Sequence, residues 1–123
     1  MVKDLITVGL GGALGAMARY LVGQLAQRLL GTGFPWGTLA ANISGCFLIG
    51  LAYGLLQAAE ASTPRLFIIV GVLGGFTTFS AFGYETLDLL KENGAGPAAA
   101  NVGLQIAAGL FAVWLGQALS KTL

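Results

Sequence analysis

Histidine is absent from this sequence, and its five acidic residues are read as unclustered, so the usual groups for proton transfer and metal binding near neutral pH are missing. The single cysteine, Cys46, lies in an apolar run and can form neither an intrachain disulfide nor a thiolate cluster. These gaps exclude most enzymatic chemistry. Charge is scarce as well: six basic and five acidic side chains make up 9% of the chain, where a soluble domain has about a quarter. The net charge of +1 offers no basic surface to nucleic acid and no acidic surface to a basic partner. With 56% hydrophobic residues in a length of 123, the chain cannot cover a soluble surface, and the bilayer must supply its solvent. The apolar residues run continuously and do not alternate, which excludes a transmembrane barrel.

What the chain does have is four apolar stretches near the length of about 20 residues that crosses a hydrocarbon core of about 30 Å. They are expected at 5–30, 36–58, 65–90 and 98–119, as four transmembrane helices of one all-α membrane domain. Gly31-Thr32-Gly33-Phe34-Pro35, the polar turn Glu60–Pro64 and the turn Lys91–Pro97 separate them. Ala16-Met17-Ala18 has the form of a signal cleavage site. Asp4 offsets Lys3, however, and hydrophobicity resumes after Arg19, so the first stretch is read as a retained membrane helix. Short loops make successive helices antiparallel, and an even number puts both termini on one side. That side holds Lys3, Arg65 and Lys121; the other holds Arg28 and Lys91. Two readings of this small bias stay open: one orientation fixed by Lys3 and Arg65, or insertion both ways with pairing of the two forms. Among 20 glycines, Gly11/Gly15, Gly50/Gly54 and Gly71/Gly75 have the spacing that lets membrane helices approach closely.

Several polar residues fall where lipid should not tolerate them. Arg19, past the middle of the first helix, has two readings: snorkelling to the interface, or a positive charge at the base of an aqueous vestibule that attracts anions. Glu85 is read as a structural acceptor for a donor on another helix. Asn42, one turn after Thr38, can bond across to a neighbouring helix or present its N–H groups to an anion. Asn101 and Gln105 are spaced i, i+4 and share a face that must look at protein or water. The densest feature is Gly74-Gly75-Phe76-Thr77-Thr78-Phe79-Ser80-Ala81-Phe82. Two glycines and three hydroxyl residues make a poor helix, so the third helix is expected to be broken near Gly74–Ser80. Non-helical backbone at membrane depth is tolerated only beside protein or water, and it exposes groups that bind ions. Phe79 and Phe82, three apart, share a face on which they can pack or offer weakly positive ring edges to a dehydrated anion.

These motifs resemble one family over nearly the whole chain: the small dual-topology fluoride channels called Fluc or CrcB. The resemblance rests on Gly11-Gly12-Ala13-Leu14-Gly15-Ala16 leading to Arg19-Tyr20; on Gly37-Thr38-Leu39 leading to Asn42, Gly45 and Phe47; on Gly71 through Phe82 with Glu85; and on Gly109-Leu110-Phe111-Ala112-Val113-Trp114-Leu115-Gly116. It implies a multi-pass protein of the cell (inner or plasma) membrane, assembled as an antiparallel homodimer with two fluoride pores at the interface. Asn42 and Ser80 would supply hydrogen bonds along each pore, Phe79 and Phe82 would line it, and Thr38 would add a hydroxyl. Backbone carbonyls of Gly74 and Thr77 from both subunits would hold a central structural sodium ion, and Arg19 would sit near the vestibule. Relatives often have a tyrosine and a serine on the fourth helix where this chain has Asn101 and Gln105, both still able to donate to an anion, and some have threonine where Ala81 follows Ser80.

The chemistry fits on its own terms. Fluoride is small and strongly hydrated, so dehydrating it needs several donors in sequence, and a channel must still bind weakly enough to release the ion. Two rival readings are a small dual-topology proton-coupled exporter and a non-transporting membrane scaffold. The exporter would need a carboxylate within the first helix, where this chain has Asp4 only at the start. The scaffold leaves the intramembrane polar set without a purpose.

Overall fold

The computed structural model describes residues 1–56 and 62–123. Its helices are α1 (Val2–Leu30), α2 (Trp36–Leu55), α3 (63–76), α4 (Phe79–Asn93) and α5 (Ala95–Ser120), and no strand occurs among the described residues. α3 and α4 are the halves of one span, so four spans are long and apolar enough to cross a membrane, as expected. The chain is a multi-pass membrane protein. The expected end of the second span at Ala58 and most of the Glu60–Pro64 turn lie outside the described residues.

Glycine dictates which helices touch. α1 packs chiefly on α3, and α2 most extensively on α5. A methyl group on Gly15 would collide with the Val72 carbonyl and stand 2.8 Å from the Phe76 nitrogen, and one on Gly71 would lie 2.9 Å from the Gly11 Cα. On the other contact, a methyl group on Gly116 would collide with the Phe47 carbonyl. Backbone therefore meets backbone at both seams, the geometry that small-residue spacing permits. At the end that gathers Arg65 and the C-terminus of α2, the Arg65 guanidinium lies 5.1 Å from the centre of the Tyr53 ring.

The structure corrects two turns. Lys91–Pro97 is not a seven-residue turn: α4 runs through Asn93, Gly94 alone reverses the chain at φ 87°, and α5 begins at Ala95. Pro97 sits in the first turn of α5, where its missing N–H breaks no helical bond. At the other end of α3, helix begins at Thr63 inside the expected Glu60–Pro64 turn, because the Ser62 hydroxyl caps it by accepting from the Arg65 N–H at 3.4 Å. Leu66–Leu73 within α3 winds as a π-helix, a wider form that its apolar composition does not announce.

The third span is broken, as expected, but at Thr77 and Thr78 and not at the glycines. Gly74 and Gly75 stay helical, with Gly75 pressed against the Gly12 backbone of α1. Thr77 and Thr78 are extended (φ −84°, ψ 156° and φ −152°, ψ 120°), and the Thr78 hydroxyl caps α4 by accepting from the Ala81 N–H at 3.2 Å.

Candidate functional site

Breaking the helix redirects a short run of backbone groups. In an unbroken helix the Thr78 N–H would donate to the Gly74 carbonyl, and the Ala81 N–H to the Thr77 carbonyl. Here the Thr78 N–H donates to Asn42 Oδ1 at 2.8 Å, and the Ala81 N–H to the Thr78 hydroxyl. The Gly74 and Thr77 carbonyls thus lose their ladder donors to side chains. Between them, the Gly75 carbonyl accepts from Arg19 Nε at 3.2 Å. Arg19 therefore reaches the break from α1 and spends one of its donors on it, and the hydroxyl of Thr77 folds back to donate to the Leu73 carbonyl at 3.0 Å.

α2 supplies the matching clamp. Asn42 Nδ2 donates to the Thr78 carbonyl at 3.0 Å while its Oδ1 takes the Thr78 N–H, so one carboxamide pairs with one residue as a neighbouring strand would. The second N–H on Nδ2 donates to Gln105 Oε1 of α5 at 3.0 Å. One turn earlier on α2, the Thr38 hydroxyl donates to Glu85 Oε1 of α4 at 2.7 Å, the structural place expected of Glu85. A third link joins α4 to α5: Asn101 Nδ2 donates to the Thr86 hydroxyl at 2.9 Å, which in turn donates to the Phe82 carbonyl. Asn101 is fully buried and belongs to this wall. Glu85 Oε2, Asn101 Oδ1 and Gln105 Nε2 are buried and have no partner among the described residues.

The open side of the break is the reverse of this clamp. Phe79 is 83% exposed, and Gly74 and Ser80 are exposed beside it. The Phe79 and Phe82 rings meet edge-on, with centres 5.4 Å apart and planes at 61°, which turns a ring edge outward. The Ser80 hydroxyl lies 3.3 Å from that of Thr78. Lipid cannot satisfy freed carbonyls, so this face needs protein or water against it.

Towards the end of the bundle formed by the α1–α2 loop, a cleft of about 480 Å³ opens between Gln27, Trp36 and the last turns of α4. Thr38 and Glu85 are in its wall, with Asp88 and Glu92 nearer the outside. This corrects the reading of the acidic residues as unclustered: the spacing 85, 88, 92 puts three carboxylates on one helical face. Arg19 is not part of that wall.

Residues 6–117 match the family model described as CrcB-like protein, Camphor Resistance (CrcB). The chain belongs to this family. CrcB-family relatives named fluoride-specific ion channel FluC align with it nearly end to end. The one from Thermus thermophilus is 50% identical over 119 residues, 96% of this chain and 95% of the relative. The one from Acidobacterium capsulatum is 49% identical over 116 residues, 93% of each. The one from Agrobacterium fabrum is 44% identical over 122 residues, 98% of each.

In this CrcB-family chain, sequence reasoning brought Asn42, Thr38, Gln105 and the Thr77–Phe82 run into one neighbourhood, and the structure puts them there. It did not find the Arg19–Gly75 contact, the Thr86–Asn101 link or the acidic cleft. The last was visible as a carboxylate face on one helix. The other two needed knowledge of how α1 and α5 are turned, which spacing alone does not give.

Proposed function

We propose that this chain is a fluoride-selective channel that lets fluoride leave the cell passively, and not an enzyme. It works as an antiparallel pair of identical chains in the plasma membrane, or in the inner membrane of a cell that has two. The observation that supports this reading best is the exposed break in the third span, together with close relatives named as fluoride-specific channels. A second copy laid against that face would cover the freed backbone, and an antiparallel two-fold brings the two breaks to the same depth. The even split of Lys3, Arg65 and Lys121 against Arg28 and Lys91 suits a chain that inserts both ways.

Each of two pores at that interface would run from the Thr38 level past the Asn42–Gln105 pair to Ser80, between the ring edges of Phe79 and Phe82. Hydroxyl, amide and ring-edge groups dehydrate a small anion without a fixed positive charge to trap it. Arg19 contributes its charge from behind the break. The Gly74 and Thr77 carbonyls, deprived of ladder donors, are hard oxygen ligands of the kind a sodium ion takes, and with their copies in the partner chain they would hold one as a structural tie. The exporter reading has little support: Asp4, the acid of α1, pairs at 3.0 Å with the terminal amine and lies far from the break.

The test is ion efflux from liposomes carrying the purified protein. Fluoride should leave at least about a hundredfold faster than chloride, the order expected from differential dehydration. Equal rates refute selectivity. For the architecture, a single cysteine placed at the C-terminus, with Cys46 replaced, should label from both sides of the cell membrane. Labelling from one side only, in a conducting protein, refutes the antiparallel homodimer.

A further inference from the structure

We infer that Gln105, and not Asn42, is the amide that donates to the permeating anion, with Asn42 as the residue that positions it. The inference rests on the channel reading above and divides the labour within that site.

It follows from counting hydrogens. A primary carboxamide has two N–H donors and one oxygen. The Asn42 oxygen takes the Thr78 N–H, and its two donors go to the Thr78 carbonyl and to Gln105 Oε1, at 2.8, 3.0 and 3.0 Å. The backbone fixes which end of Asn42 is which, since the Thr78 N–H can only donate and its carbonyl can only accept. Asn42 then has no donor left. The same bond fixes Gln105: its oxygen is the end that meets Asn42, so its nitrogen is the end that turns away. That nitrogen is buried and has no acceptor among the described residues. An amide N–H group held away from water without an acceptor is unfavourable, and apolar neighbours cannot relieve it. The missing acceptor is an anion or a water molecule standing in for one. Because Asn42 also holds the Thr78 backbone, this donor is kept in register with the Thr78–Ser80 hydroxyls at the start of α4. Asn42 thus acts on the ion through Gln105 and through the break.

Two variants and one spectrum test this. Gln105→Met preserves length and removes both ends of the amide. Gln105→Glu keeps an oxygen for Asn42 and converts the free end from donor to acceptor. In liposomes, both should lose at least about tenfold of the fluoride efflux, in protein that still elutes as the wild type does. Either variant passing fluoride within about twofold of wild type overturns the assignment. Should a variant misfold, the wild type decides. Fluoride titrated into 15N-labelled protein in nanodiscs should shift the Gln105 side-chain resonance and leave that of Asn42 in place. A shift at Asn42 alone, or at neither, means that Gln105 holds only water and overturns the inference. Wild-type protein that passes no fluoride refutes the channel reading itself, whereas a conducting wild type with a conducting Gln105→Met refutes only this assignment.

Discussion

Replacing Asn42 by leucine changes shape little and removes three hydrogen bonds at once: from the Thr78 N–H, to the Thr78 carbonyl and to Gln105 Oε1. Hydrogen bonds between membrane helices are worth about 0.6 kcal/mol on average and up to about 1.7. Three of them give a loss of about 2 to 5 kcal/mol. The upper part of that range is favoured, because two of the orphaned groups are backbone atoms at membrane depth with no helical partner to return to. Asn42→Asp should fall between leucine and wild type, since it retains the acceptor for the Thr78 N–H but faces two oxygens with a third. The assay is reversible unfolding in mixed micelles at fixed protein concentration, which holds any association constant. Hydrogen exchange should accompany it, with the Thr78 amide protected in wild type and exchanging faster in both variants. A double-mutant cycle of Asn42→Leu with Gln105→Met isolates the side-chain pair, for which a coupling of about 0.6 kcal/mol is expected. Asn42→Leu within about 0.5 kcal/mol of wild type, with Thr78 still protected, would mean that the break holds itself open.

Two further expectations follow from the open face and the cleft. Phe79→Ile or Phe82→Ile should cut fluoride efflux sharply in protein that remains dimeric, because isoleucine fills space without a positive edge; normal efflux would assign that ring to packing alone. Neutralising Asp88 and Glu92 together as Asn and Gln should raise fluoride efflux at low ionic strength, by about twofold for each charge roughly 10 Å from the ion in water, and the gain should vanish near 1 M salt. An unchanged or lower rate at low salt would place the anion's entrance elsewhere.

The four spans were legible because a membrane helix is a composition as much as a pattern, and about twenty apolar residues in a row have few other uses. The break was legible for a related reason: Gly74-Gly75 followed by hydroxyl residues weakens a helix whatever surrounds it. Its position was less so. The glycines stay helical because Gly75 is occupied in the seam with α1, and the chain opens two residues later, where Asn42 and the Thr78 hydroxyl take over the backbone N–H groups. Lys91–Pro97 was read as a loop because glycine and proline usually punctuate structure. Pro97, however, falls in a first turn, the one part of a helix that tolerates it. The π-helix at Leu66–Leu73 had no signal, since α and π forms draw on the same apolar residues. Nor could spacing tell that Arg19 turns toward the Gly75 carbonyl and Asn101 toward Thr86, for the rotation of one helix against another is a property of the packed bundle.

Gly94 deserves a mechanical reading. One residue joins α4 to α5, so the two helices have no slack at that end and must tilt together. α3, in turn, is locked to α1 by glycine seams. A single span is therefore divided between two rigid arms, one moving with the first helix and the other with the last. The only joint between the arms is the Thr77–Thr78 pair of extended peptides. Any tilt that a change in bilayer thickness imposes on the arms is then concentrated at those two residues, where the carbonyls and hydroxyls of the break are found.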